Sequence, residues 1–170
     1  AEAACDKTTG VLEIGPGIGT LTCELAKTAK RVVAIELDER LKPVLKKSLA
    51  ASSNVEVIFG DAMQTPLAEL IKEKFADCKA VSVCANLPYY ITTPILMMLL
   101  ESGIKFDYIT IMIQAEVADR LCARAGKSDY GAITAVLNYY GEAERILDVP
   151  ATDFVPAPKV NSAVVRIKLH

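Results

Sequence analysis

The residues with the clearest chemistry stand together at Asn86-Leu87-Pro88-Tyr89. They present two adjacent hydrogen-bond acceptors, the Asn86 side-chain oxygen and the Leu87 carbonyl. Acceptors so placed can hold both hydrogens of one amine. An amine conjugated to an aromatic ring is a poor nucleophile because its lone pair is delocalised. Two acceptors on its hydrogens favour a more tetrahedral nitrogen with a localised lone pair. Pro88 fixes its own φ and biases Leu87 toward extended backbone, which helps aim that carbonyl. Tyr89 offers a ring on which a base taken out of its helix can stack. The plainer alternative is a strand exit with a proline and two aromatic packing residues.

A second constellation lies upstream. Glu13-Ile14-Gly15-Pro16-Gly17-Ile18-Gly19-Thr20 carries three glycines in five residues. Glycines let backbone turn tightly and approach a ligand where a side chain would clash. The helix expected after Gly19 offers unpaired N–H groups. A dinucleotide site would read G-x-G-x-x-G, whereas this loop is one residue shorter. Glu36 ends the next apolar run, where a carboxylate can accept from both hydroxyls of a ribose or simply sit at the surface near a helix start. Asp61, in Gly60-Asp61-Ala62, can accept from an exocyclic amine or form a turn. Asp38 reads as a helix N-cap. Ligands of open α/β sheets bind beyond the carboxyl ends of the strands. The Gly loop, Glu36 and Asp61 would therefore face one crevice.

Near the end, Phe154-Val155-Pro156-Ala157-Pro158-Lys159-Val160-Asn161-Ser162 reads as a stiff, extended loop. Phe154 is either the second face of a base sandwich with Tyr89 or a core anchor. Lys159 is a phosphate contact or a solvated lysine. His170 is the only histidine, so no Ser–His–Asp or Cys–His set can be assembled.

The elements that position these residues follow from periodicity. Strands are expected at Gly10–Ile14, Arg31–Ile35, Val55–Phe59, Ala80–Ala85 and Tyr108–Ile113. Helices are expected at Thr20–Lys30, Asp38–Ala50, Leu67–Phe75, Pro94–Glu101 and Ala115–Ala125. This alternation predicts a mostly parallel sheet with helices on both faces. The tail adds a helix at Ala132–Tyr140 and strands at Glu144–Val149 and Ala163–Leu169. With no long helix between them, these two strands predict an antiparallel pair at one edge. No linker divides the 170 residues, so one domain is expected.

Composition narrows the function classes. Lys plus Arg is 19, Asp plus Glu is 21 and the net charge is −2, which excludes nucleic-acid binding by a strong overall positive charge. A hydrophobic fraction of 52% excludes an acidic disordered tail. No run of 18 apolar residues and no signal-peptide pattern occur, so neither a membrane span nor secretion is expected. Five cysteines without a CxxC pair argue against a zinc site or a disulfide framework. No metal is expected, and reduced thiols fit a cytoplasmic location. The opening Ala1-Glu2-Ala3-Ala4 has helix-like composition.

The Gly loop resembles that of class I S-adenosylmethionine-dependent methyltransferases, which implies a Rossmann-like seven-stranded fold. Asn-Leu-Pro-Tyr resembles the N-P-P-Y motif of amino-methyltransferases. The chain as a whole resembles the small-subunit ribosomal RNA adenine N6,N6-dimethyltransferases. The matching stretches are VLEIGPGIGTLT (11–22), VVAIELD (32–38), GDAM (60–63), NLPYYITTPIL (86–96), IQAEVADRL (113–121), DYGAITAVLNYY (129–140) and FVPAPKVNSAVVRI (154–167).

The resemblance implies S-adenosyl-L-methionine held by Glu13, Gly15, Gly17, Gly19, Glu36, Asp61, Ala62 and Asn86. It implies a target adenine held by Asn86, Leu87, Pro88 and Tyr89, with Tyr89 and Phe154 stacking on it. The implied partner is small-subunit RNA in its particle, and a monomer is expected. The family's N-terminal Gln-x-Phe-Leu-type segment and helical C-terminal domain are not matched, so a catalytic-domain portion is expected. Erythromycin-resistance methylases, which modify large-subunit RNA, typically read N-I-P-Y-N then S-T-D, whereas Tyr90 and Thr93-Pro94 stand here. A non-catalytic assembly-factor relative and an NAD enzyme are the remaining rivals.

Overall fold

The structure is a computed structural model that describes residues 5–170. The helix-like reading of residues 1–4 lies outside those residues. Seven strands form one sheet. They are β1 (Thr9–Ile14), β2 (Arg31–Glu36), β3 (Val55–Phe59), β4 (Ala80–Asn86), β5 (Tyr108–Gln114), β6 (Gly141–Val149) and β7 (Ser162–Leu169), in spatial order β3-β2-β1-β4-β5-β7-β6. The first five pair in parallel. β7 runs antiparallel to both β5 and β6, so the expected antiparallel pair occupies one edge.

Burial explains the central strands. Every residue of β1 is buried, as an apolar run covered on both faces requires. Leu12 and Ile14 pack into the larger core with Leu96 and Leu99 of α4 (Tyr89–Glu101). Val11, on the opposite face of the strand, packs with Leu25 and Ala29 at α1 (Thr20–Thr28). The other helices are α2 (Lys42–Ser48), α3 (Leu67–Lys74), α5 (Ala115–Leu121) and α6 (Ala132–Tyr140).

Strand order reverses at β1. β2 and β3 lie to one side, β4 and β5 to the other. The crevice beyond the carboxyl ends of β1 and β4 is the place where this architecture binds ligands.

Several boundaries differ from expectation. α4 begins at Tyr89 rather than Pro94, with Pro94 inside it. The proline forfeits one backbone bond. Burial of Thr92, Ile95, Leu96, Leu99 and Leu100 along the same helix outweighs that loss. The helix expected over Asp38–Ala50 is instead a 3₁₀ turn, Glu39–Leu41, followed by α2. Asp38 is the N-cap of that turn, and its side chain accepts from the Arg40 N–H. α5 ends at Leu121 rather than Ala125. β6 begins at Gly141 rather than Glu144. A Cβ at Gly141 would meet the Lys168 backbone carbonyl across the ladder, so glycine permits pairing to start there.

Candidate active site

The carboxyl end of β2 organises the crevice. The Ile35 carbonyl accepts from Gly15 N–H at 2.9 Å, and the Glu36 carbonyl accepts from Gly60 N–H at 2.9 Å. The Glu36 carboxylate continues the pattern. One oxygen accepts from Gly17 N–H at 3.0 Å, the other from Asp38 N–H at 2.8 Å. The loops after β1 and β3 are thus fastened to β2. Glu36 is only 7% exposed, and each of its oxygens keeps a lone pair beyond the bond it accepts.

Gly15 adopts φ +73, and a Cβ there would lie 3.0 Å from the Leu87 side chain. That close approach brings the glycine loop against the Asn86–Tyr89 segment. Gly19 has a different role. It caps α1 with φ +91, and a Cβ there would press on Ser48 and Leu45 of α2.

These loops enclose a cavity of about 640 Å³, within the range of small-molecule sites. Gly15, Gly17, Glu36, Asp61, Ala62, Asn86, Leu87 and Pro88 all line it. Glu13, Gly19, Tyr89 and Phe154 do not. Glu13 is buried within the sheet at 1% exposure, and neither its Oε2 nor the Thr22 hydroxyl has a hydrogen-bond partner among the described residues. Burial pushes the Glu13 carboxyl up to about 7; the nearby Thr22 hydroxyl works against the rise and the Glu36 carboxylate adds to it.

Asp61 forms the turn that its position after Gly60 suggested. Its carboxylate accepts from Met63 N–H at 2.8 Å and from the Gln64 amide at 3.0 Å, while still bordering the cavity.

Asn86 and Leu87 are the least satisfied polar groups of the site. Among the described residues, neither the Asn86 amide nor the Leu87 carbonyl has a hydrogen-bond partner. Their neighbours are firmly held: the Pro88 carbonyl accepts from Ile91 N–H and from the Thr92 hydroxyl, both at 3.1 Å. The Tyr89 hydroxyl bonds Ser162 Oγ at 2.8 Å, which ties this segment to the end of the proline-rich loop. Phe154 is half-buried in that loop, at the end of a short 3₁₀ turn (Ala151–Asp153).

Sequence reasoning passed over part of the lining. Leu37 and Met63 follow the carboxylates and are exposed, with Leu37 72% accessible. Their places beside Glu36 and Asp61 were visible in the sequence, but their solvation, which is what marks apolar side chains beside polar anchors as ligand contacts, was not. Asp38 also borders the cavity in addition to capping its turn. Among the described residues, no group of three or more His, Cys, Asp or Glu is arranged to hold a metal.

The family model described as ribosomal RNA adenine dimethylase matches residues 1–170. The chain belongs to the ribosomal RNA adenine dimethylase family. Its similarity to the proteins named ribosomal RNA small subunit methyltransferase A is high. It is 47% identical to that of Bacillus licheniformis over 168 residues, covering 99% of this chain and 58% of the relative. It is 50% identical to that of Geobacillus thermodenitrificans over 159 residues, covering 94% and 54%. The chain thus spans little more than half the length of these dimethylase-family proteins.

Among solved structures, a dimethyladenosine transferase from Plasmodium falciparum superposes with a TM-score of 0.84 at 31% identity, covering 99% of this chain and 58% of that one. The 23S rRNA methyltransferase ErmE superposes with a TM-score of 0.83 at 29% identity, covering 99% and 64%. The fold of this dimethylase-family chain is therefore that of the class I S-adenosylmethionine-dependent methyltransferases.

Proposed function

We propose that this chain is the methyl-transferring domain of an enzyme that acts on two adjacent adenines near the 3′ end of small-subunit ribosomal RNA. Its product would be N6,N6-dimethyladenosine, and its methyl donor S-adenosyl-L-methionine. The observation that carries this reading is a pair of acceptors, Asn86 and Leu87, without partners among the described residues and on the wall of a cavity that Glu36 and Asp61 also line.

The residues fit such a cofactor. Glu36 would take the ribose hydroxyls on its remaining lone pairs, and Asp61 the exocyclic amine of the adenine. Leu37 and Met63 would cover the ring. The backbone at Gly15 and Gly17, with Ala62, would leave room for the rest, with Asn86 alongside. When bound, S-adenosylmethionine supplies an electrophilic sulfonium methyl. Asn86 and the Leu87 carbonyl would hold the two hydrogens of the target N6 amine, localising its lone pair and fixing its direction. Pro88 holds that carbonyl in place. The Tyr89 ring would stack on the extruded base, and Phe154 would serve as its second face.

Modification of large-subunit RNA is the second reading, favoured by the likeness to ErmE. Tyr90 and Thr93-Pro94 favour the small-subunit substrate, as does the higher identity to relatives named for it. A role in small-subunit maturation, a cytoplasmic location and a monomeric state complete the proposal. No helix among the described residues is long and apolar enough to cross a membrane.

The test is Asn86→Ala in the full protein. Loss of a preorganised group aimed at the reacting centre costs on the order of 10²–10³ in rate. Methyl transfer should fall by at least that much with the melting temperature kept. Undiminished turnover would refute the acceptor role. Calorimetry with S-adenosylmethionine against NAD decides the cofactor, and binding of NAD alone would overturn it.

A further inference from the structure

We propose that Ser162 is a positioning residue, whose buried hydroxyl fixes the Tyr89 ring relative to the Asn86 and Leu87 acceptors. The inference rests on the methyl-transfer reading of the same site. Ser162 is 1% exposed and is the first residue of β7. It pairs with Gln114 of β5 on one side and Val149 of β6 on the other, so its backbone is held from both neighbours.

The residue before it is anchored as well. The Asn161 carbonyl accepts from Ala115 N–H at 3.0 Å, and its side-chain oxygen accepts from Ala151 N–H at 3.0 Å. That second bond closes the loop that carries Phe154. The Ser162 hydroxyl is therefore a rigid point in the fold.

Tyr89 is two residues from Leu87 and opens α4. Its hydroxyl is engaged by Ser162 at 2.8 Å, while the residue as a whole stays 36% exposed. A tyrosine ring turns about only two side-chain torsions: holding its oxygen fixes the first, and the preference of a phenolic hydroxyl to hydrogen-bond in the ring plane biases the second, whose axis runs through that oxygen. The hydroxyl is then engaged within the protein, and the stacking proposed for Tyr89 would use its ring. A stacked base gains most from a ring whose plane is already set, because less freedom is lost on binding. The same bond links the β4 exit to the Phe154 loop, two segments that the sequence separates by more than sixty residues. A serine present only to fill space would leave Tyr89 free to act equally well as phenylalanine.

The experiment is a double-mutant cycle in the full protein. Methyl transfer from labelled S-adenosylmethionine is measured on small-subunit particles lacking the modification. Ser162→Ala and Tyr89→Phe should each lower kcat about tenfold, with cofactor affinity by calorimetry unchanged. The double variant should be no worse than either single one. Ser162→Thr, which keeps the hydroxyl, should recover most of the loss. Wild-type kcat in either single variant, or losses that multiply, would overturn the inference. If Ser162→Ala does not fold, Tyr89→Phe decides alone. An inactive wild-type protein would instead remove the parent reading, and this inference with it.

Discussion

Glu36 has two oxygens, and each holds a backbone N–H, one from Gly17 and one from Asp38. Those bonds hold the carboxylate in place before any ligand arrives. Glu36→Gln would place an amide N–H₂ against one of those backbone donors. The site would lose an acceptor and gain a donor–donor clash. S-adenosylmethionine affinity should fall at least tenfold by calorimetry, and an unchanged affinity would contradict the ribose role. Glu13 makes a different prediction. Its carboxyl is raised from 4.5 to about 7 by burial first. The folded state therefore holds this proton more tightly than the unfolded state does. Its contribution to stability is fully present below about pH 4.5 and is lost as pH rises to about 7. The loss is on the order of 3 kcal/mol at most. Glu13→Gln should flatten that decline in denaturant unfolding between pH 5 and 8. Equal slopes for the two proteins would contradict it.

At the scale of elements, the sheet was legible because parallel central strands are near-continuous apolar runs. The five parallel strands and the antiparallel edge pair stand where periodicity put them, within a few residues. The start of α4 was not legible. Pro94 resembles a helix opening, yet it lies a turn and a half inside, and only the burial of the residues around it discloses this. The consequence is functional, since Tyr89 is a helix residue and not a loop residue. Pro94 is exposed and has no N–H for the Tyr90 carbonyl. Pro94→Ala should therefore stabilise the chain by about 1 kcal/mol or more, read as a raised melting temperature. A lower one would show that the proline fits some constraint other than the helix. Gly19 was the opposite case. Spacing grouped it with Gly15 and Gly17, whereas the structure has it packing α1 on α2.

At the scale of the molecule, the cavity gathers residues from four strand ends, and sequence pointed to those ends because each closes on an acid, an amide or a glycine. It did not point to Leu37 or Met63, since exposure of an apolar side chain is a property of the fold. The net charge of −2 fits a site built for one extruded base better than a surface that grips RNA everywhere. The chain also spans only 58% of the length of its Bacillus licheniformis relative. The substrate must therefore be tested with the full protein. The most direct measurement incubates it with S-adenosylmethionine and small-subunit particles lacking the modification, then maps methylated bases by mass spectrometry. The account predicts N6,N6-dimethyladenosine at two adjacent positions near the RNA 3′ end. Unmodified adenines there, or methylation confined to large-subunit RNA, would contradict it.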